Sequence, residues 1–294
     1  MKLNRIKKFK PQNVLLKLQK ALNFPKVFLP LHEPTFSKYE KSLLGLCIKE
    51  GYVSSVGRFV NEFENIVKNF TGSKNSVAVV NGTSALQIAL NLSGVKKNDE
   101  VLVPSITFIG TVNSIIYNNA IPNFIDSELD TLGADPKKLE KYLNENCILK
   151  KNQCFNKKTK RFIKAIIVVH VFGHSAKIIT LKKISKKFKI KIIEDAAEAL
   201  GSFYKGKHLG TFGDFGVISF NGNKVITTGG GGILLTNSNH LAKRAKHLTT
   251  TAKLPHKFEY IFNETGYNYR LPNINAALGV AQLKKLNEII KNKR

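Results

Sequence analysis

Two side chains with opposite chemistry sit where a folded chain would put them to use. Lys224 lies in the glycine-rich run SFNGNKVITTGGGG, and Asp195, preceded by Glu194, ends the apolar run KIKIIED. A lysine on a constrained loop beside a partly dry pocket is a candidate amine nucleophile. A carboxylate at the carboxyl end of a buried strand is desolvated and asks for a cation. A third feature is Gly82-Thr83-Ser84, between the apolar run SVAVVN and the helical pattern GTSALQIALNLSG. Free N–H groups and the positive end of the helix dipole make such a turn an anion site, best suited to phosphate. Each feature also has a plain reading. Thr83 or Ser84 serves as an N-cap, and Lys224 is one solvated lysine in a chain with 47 Lys and Arg.

The surrounding pattern says how these residues would be positioned. Short apolar runs at 76–81, 100–104, 120–126, 162–172 and 189–197 alternate with amphipathic stretches such as AKIITLKKISKKFK. Strands apolar on both faces, separated by helices, predict an α/β fold with a mainly parallel sheet covered by helices on both faces. Right-handed crossovers then place the site at the carboxyl ends of the strands. Residues 206–236 break the rhythm and predict two strands, VISF and GILLT, joined by a tight glycine loop. A helix over His240–Leu248 and a final helix from Ile274 to the last residue follow.

Composition excludes several classes. With 294 residues, 43% hydrophobic and 23% charged, the chain has ample material for a core. No apolar run is long enough for a membrane span. Cys47, Cys147 and Cys154 are scattered without metal-ligand spacing, so neither disulfide scaffold nor zinc site is expected, and a soluble, cytoplasmic protein is. His170 and His174 are four apart, but on a strand-to-loop run rather than a helix, so no metal is expected there either. The net charge of +27 is mostly lysine, spread along the chain and accompanied by Asn and Ile, the mixture an AT-rich coding sequence yields. It shows no basic patch with interleaved aromatics, against a specific nucleic-acid partner. Residues 1–29 form a basic segment with apolar Val14, Leu15, Leu18 and Leu22 near helical spacing, read as a docking helix.

Taken together, an anion-binding turn, an aromatic-bearing strand end, a strand-end carboxylate and a loop amine are the four contacts that pyridoxal 5′-phosphate (PLP) requires. The blocks VNGTSAL, PSITFIGTVNSI, IIEDAAEALGS, GTFGDFGVISFNGNKVITTGGGG and GYNYRLPNINAALGVAQL resemble, in order and spacing, the DegT/DnrJ/EryC1/StrS sugar aminotransferases. Those are fold-type I PLP enzymes acting on nucleotide-linked keto-sugars. Within them PLHEPTF, GYVSSVGRFV and KHLTTTAKLPH look most like the branch that aminates a UDP-linked 4-keto-6-deoxy sugar for legionaminic acid- or bacillosamine-type surface glycans.

The resemblance implies Lys224 as the amine that binds the cofactor's aldehyde and Asp195 as partner of its ring nitrogen. It further implies Gly82, Thr83, Ser84 and Ser219 around the phosphate, Phe108 stacked on the ring, and Glu198 near the ring oxygen. Asn268 would reach the neighbouring subunit's phosphate in a homodimer with shared sites, and Arg270 would be structural. L-Glutamate, leaving as 2-oxoglutarate, would be the donor. His32, Ser54, Ser55 and His174 are candidate substrate contacts. The expected layout is a PLP-binding large domain over 30–250 and, over 251–294, the start of a small carboxyl-terminal domain that relatives continue and this sequence does not. A sugar-dehydrating relative would carry histidine where this chain has Lys224. A non-catalytic remnant of the scaffold is the other alternative.

Overall fold

The computed structural model describes residues 10–22 and 32–293, which belong to two compact units, Met1–Glu33 and Pro34–Arg294. In the first, α1 (Pro11–Leu22) carries Val14, Leu15 and Leu18 at helical spacing. The rest of the expected basic segment, 1–9 and 23–29, lies outside the described residues. No helix among the described residues is long and apolar enough to cross a membrane.

The second unit opens with α2 (Lys38–Glu50) and α3 (Arg58–Thr71), then β1 (Asn75–Val79), α4 (Gly82–Leu92), β2 (Glu100–Pro104), α5 (Ile109–Ile116) and β3 (Ile121–Ile125). Next come α6 (Pro136–Asn146), the hairpin β4 (Cys147–Lys150) and β5 (Gln153–Asn156), β6 (Arg161–Val169), α7 (Ile178–Lys187) and β7 (Lys191–Asp195). A small ribbon, β8 (Phe203–Tyr204) and β9 (Lys207–His208), precedes β10 (Phe215–Ser219) and β11 (Gly232–Thr236). The chain continues through α8 (Asn239–Thr249), the ribbon β12 (Lys253–Leu254) and β13 (Ile261–Phe262), α9 (Asn273–Lys284) and α10 (Leu286–Lys293).

The main sheet runs β1-β11-β10-β7-β6-β2-β3, with β4 and β5 added at the start of β6. The pairs β10–β7, β7–β6, β6–β2 and β2–β3 are parallel, while β11 is antiparallel to both neighbours. Alternate residues of each strand enter two separate cores. Leu102, Ile166, Val168 and Ile192 pack with α3, α7 and α9 residues, including Phe63, Leu181 and Val280. Val101, Val103, Ile167 and Ile193 pack on the other face with Leu86, Ile88 and Leu248 of α4 and α8. A strand buried on both sides explains the continuous apolar runs in the sequence.

Two expectations need correction. VISF and GILLT do pair, but the connection from Phe220 to Gly231 is a long loop, because it must carry Lys224 out over the sheet end and back. The final helix is broken at Lys285 into α9 and α10. Within residues 251–294, α9 packs on α2 and α3. There Asn273 holds the 52–59 loop, its Oδ1 accepting from the Phe59 N–H (3.0 Å) and its Nδ2 donating to the Tyr52 carbonyl (2.7 Å).

Candidate active site

The carboxyl ends of β1, β2, β6, β7 and β10 surround a cavity of about 520 Å³. Its wall includes Gly82, Thr83 and Phe108 from the helix-start side, and Asp195, Glu198, Ser219 and Lys224 from the other strand ends.

Strand alternation sorts the two acids of β7. Asp195 shares the face of Ile193 and turns into the cavity, whereas Glu194 shares the face of Ile192 and is fully buried behind it. Asp195 Oδ2 accepts from the Thr111 hydroxyl (2.7 Å) and Oδ1 from the Ala197 N–H (3.2 Å). Burial pushes the Asp195 carboxyl above its ordinary pKa, against the pull of those two donors and of the positive charge on Lys224. This carboxylate is short of cation.

Lys224 stands in the long β10–β11 connection, its backbone N–H held by the Asn221 carbonyl (3.0 Å). Its ammonium, largely buried, lies 3.2 Å from Glu198 Oε1. The other oxygen of Glu198 accepts the Phe172 N–H at 3.0 Å.

At the opposite end, α4 begins directly after β1. The cap is neither Thr83 nor Ser84 but Asn81, whose Oδ1 accepts the Ser84 N–H at 2.8 Å. Asn81 thus leaves the N–H groups of Gly82 and Thr83, both at the cavity wall, without intrahelical partners. Ser219, ending β10, faces them: a Cβ on Gly82 would lie 3.4 Å from the Ser219 Cβ. Phe108 is 77% exposed and precedes α5. A Cβ on Gly110 would come within 2.7 Å of Thr83 Oγ1 and 3.0 Å of the Phe108 ring, so only glycine lets that ring and α4 approach.

The remaining expected residues fall elsewhere. Ser84 lines an adjoining cavity of about 330 Å³ instead of the main one. Asn268 is exposed, bridged to Thr250, and points away from the stacked pair Tyr267 and Tyr269 (ring centroids 5.1 Å apart). Ser54, Ser55 and His174 do not line the main cavity, and His32 belongs to the first unit. Ser54 uses its carbonyl to accept the Asn273 N–H, and the strand-to-loop turn leaves His174 exposed. Among the described residues, the buried Nε of Arg270 has no hydrogen-bond partner.

Residues that the motifs did not single out for the site include Asn81, Thr111, His170 and Phe172. His170 is fully buried; its Nδ1 accepts the Ala176 N–H (3.2 Å), which puts the ring proton on Nε2, facing Glu194 Oε2 at 3.0 Å. The available signal was position: Asn81, His170 and Phe172 lie just beyond the ends of β1 and β6, and Thr111 is in the first turn of α5.

A doubly wound sheet with an amine, a buried acid and a helix start meeting at its carboxyl edge defines a small-molecule enzyme scaffold of the α/β class. The chain belongs to the DegT/DnrJ/EryC1/StrS aminotransferase family, which it matches over residues 35–294. It is 40% identical over 264 residues to EpsN of Bacillus subtilis (strain 168), described as a pyridoxal phosphate-dependent aminotransferase, covering 90% of this chain and 65% of that one. To the GDP-perosamine synthase of Escherichia coli O157:H7 it is 38% identical over 267 residues, 91% of this chain and 69% of the other. Among solved structures it superposes on Helicobacter pylori PseC, an aminotransferase involved in pseudoaminic acid biosynthesis, with a TM-score of 0.77 at 27% identity, covering 88% of this chain and 66% of PseC. The chain thus spans about two thirds of the length of the relatives it matches.

Proposed function

We propose that the chain is a PLP-dependent aminotransferase that moves an amino group from L-glutamate to the 4-keto carbon of a nucleotide-linked 4-keto-6-deoxy sugar, in the making of surface glycans. One observation carries this reading: Lys224 and Asp195 line one cavity whose far end is the capped start of α4.

The donor set suits PLP. Two N–H groups without helical partners, with Thr83 and Ser219 beside them, match a phosphate. The Gly110 cradle keeps Phe108 against that end of the cavity. A buried acid with a raised pKa matches a cationic ring nitrogen. When bound, PLP supplies an aldehyde that captures amines and a ring that takes up the electrons left when a proton is removed.

The protein's part is to place charge and move protons. Lys224 would hold the cofactor's aldehyde, and its Nζ is the group placed in the cavity to take the proton from the donor's α-carbon as general base and return it as general acid. Asp195 would face the ring nitrogen and favour its protonated form, and Thr111 and the Ala197 N–H fix that carboxylate in place. Glu198 keeps the Lys224 ammonium inside the cavity. A lysine at 224 also disfavours dehydration, for which relatives use histidine. Asn268 is exposed on GYNYR while its flanking tyrosines pack against the core, which supports a homodimer in which Asn268 serves the partner's phosphate end. The reading locates the enzyme in the cytoplasm.

The nucleotide is proposed as UDP, on the sequence blocks quoted above; the relatives named GDP-perosamine synthase favour GDP as the second reading. Mass spectrometry of products from a panel of UDP- and GDP-linked 4-keto-6-deoxy sugars separates them. Lys224→Ala is expected to abolish both the visible absorbance of lysine-bound cofactor and turnover, by about 10³-fold or more. Retained turnover in the purified variant would refute the reading. A wild-type protein that takes up PLP but shows no spectral change with glutamate is the non-catalytic alternative.

A further inference from the structure

Eleven described non-glycine residues have positive φ, and one of them, Phe172 (φ 50°, ψ 26°), is both aromatic and part of the cavity wall. A bulky side chain in the left-handed region is a true outlier, and such strain persists only where the surroundings over-determine it. They do so here. The Phe172 N–H is held by Glu198 Oε2 (3.0 Å), and the next residue, Gly173, is also left-handed (φ 80°). A Cβ on Gly173 would lie 2.8 Å from the Glu198 carbonyl. The Gly173 and His174 N–H groups close the turn on the carbonyls of His170 and Val171.

Folding gains little from this arrangement. The Phe172 residue is 76% exposed and, among the described residues, its ring makes no aromatic pair. Its place is informative. Phe108 stands beside Gly110 and Thr83 at the helix-start end of the cavity, whereas Phe172 is tied through Glu198 to the amine of Lys224. One carboxylate thereby positions both the amine and the ring.

We propose that Phe172 is a specificity-determining residue: its strained backbone presents the ring as a platform for the apolar C–H and methyl face of the acceptor sugar, beside Lys224. The inference rests on the sugar-aminotransferase reading and adds which side chain recognises the hexose. A 6-deoxyhexose offers an aromatic ring one largely C–H face and a methyl group, while its hydroxyls turn elsewhere. Apolar contact of that size discriminates by about tenfold to a few hundredfold.

The test uses PLP-loaded full chain, wild type against Phe172→Leu and Phe172→Tyr. PLP uptake is followed by absorbance titration, and binding of UDP- and GDP-linked 4-keto-6-deoxyhexoses, and of free UDP and GDP, by calorimetry. The Leu variant is expected to bind the preferred sugar nucleotide about tenfold or more weakly, with PLP uptake and free-nucleotide binding unchanged, and the Tyr variant to stay within about threefold of wild type. Thermal melts add a readout independent of any ligand. Phe172→Gly should melt above Phe172→Ala, because both lack the ring and only glycine takes this backbone without strain. Equal sugar binding by wild type and Leu variant overturns the inference alone. So does a Leu variant that loses PLP or free nucleotide as well, or a glycine variant no more stable than alanine. A wild-type chain that takes up PLP but neither sugar nucleotide overturns the acceptor class itself, and the inference with it.

Discussion

Glu194 and Asp195 are neighbours on one strand, yet they end in opposite circumstances. Glu194, behind the sheet end, accepts from the N–H groups of Gly210 (2.8 Å), Phe212 (2.6 Å) and Gly213 (2.6 Å) and from His170 Nε2. It pins the loop that leads into β10 to the end of β6. Asp195, facing the cavity, has the Thr111 hydroxyl and the Ala197 N–H, and burial lifts its pKa. A buried carboxylate whose lone pairs are all met by protein donors is scaffold; one left under-supplied and facing a cavity has capacity reserved for a ligand cation. The two-residue period of a strand lets one sequence step separate these roles.

The comparison breaks first at Glu194. Glu194→Ala would leave three backbone N–H groups and the His170 ring proton without their partner, and should cost about 3–5 kcal/mol of unfolding free energy in urea denaturation. A loss below about 1 kcal/mol would show that water or loop movement replaces it easily, and that Glu194 is no better anchored than Asp195. Glu40 sharpens the contrast from a distant place. Burial would raise its pKa, but hydrogen bonds from Ser37 and Lys285 outweigh that and hold it at about 2. Gln282 Nε2 donates to it as well, at 2.8 Å. A depressed carboxyl stabilises the fold above its ordinary value and loses that contribution as the pH falls through its folded value. Glu40→Gln should therefore cost about 2 kcal/mol at neutral pH, with the gap to wild type narrowing as the pH drops from about 4.5 toward 2. A gap independent of pH would show that packing, not charge, is what the variant removes.

How much of this was written in the sequence depends on how local the cause is. The strands buried on both faces are legible because alternation is lost over whole runs, as in EVLVP and FIKAIIVV. Lys224, Asp195 and Gly82 are legible because strand ends and glycine turns are local features. The hairpin β4–β5 was missed: CILK and QCFN are short and mixed, and what anchors them is non-local. Asn156 of β5 joins Asn123 of β3 on Glu100 of β2 and on the Tyr142 hydroxyl of α6. Four elements contribute to that cluster, and no window of sequence contains it. The Asn81 cap was within reach, since an asparagine directly before a helix start is the ordinary signal. The left-handed Phe172 was not, because its conformation is imposed by Glu198, a residue on another strand's loop.

The smallest effect is the most pointed, because its sign is opposite to that at Glu194. In the PLP-free chain the folded form of Asp195 takes up its proton more readily than the unfolded chain does. Stability therefore falls as the pH rises from the ordinary aspartate range through the raised folded value. Asp195→Asn removes that penalty while its amide can still accept from Ala197 and meet Thr111. The variant should melt about 2 °C above wild type near neutral pH, with the advantage shrinking on acidification. PLP should reverse the order, because the cation that Asp195 lacks arrives with the ring and the wild type alone can pair with it. Melting curves with and without PLP, at neutral and mildly acidic pH, test both signs. An Asp195→Asn protein less stable than wild type in every condition would make Asp195 a second Glu194, and the cavity would lose its reserved charge.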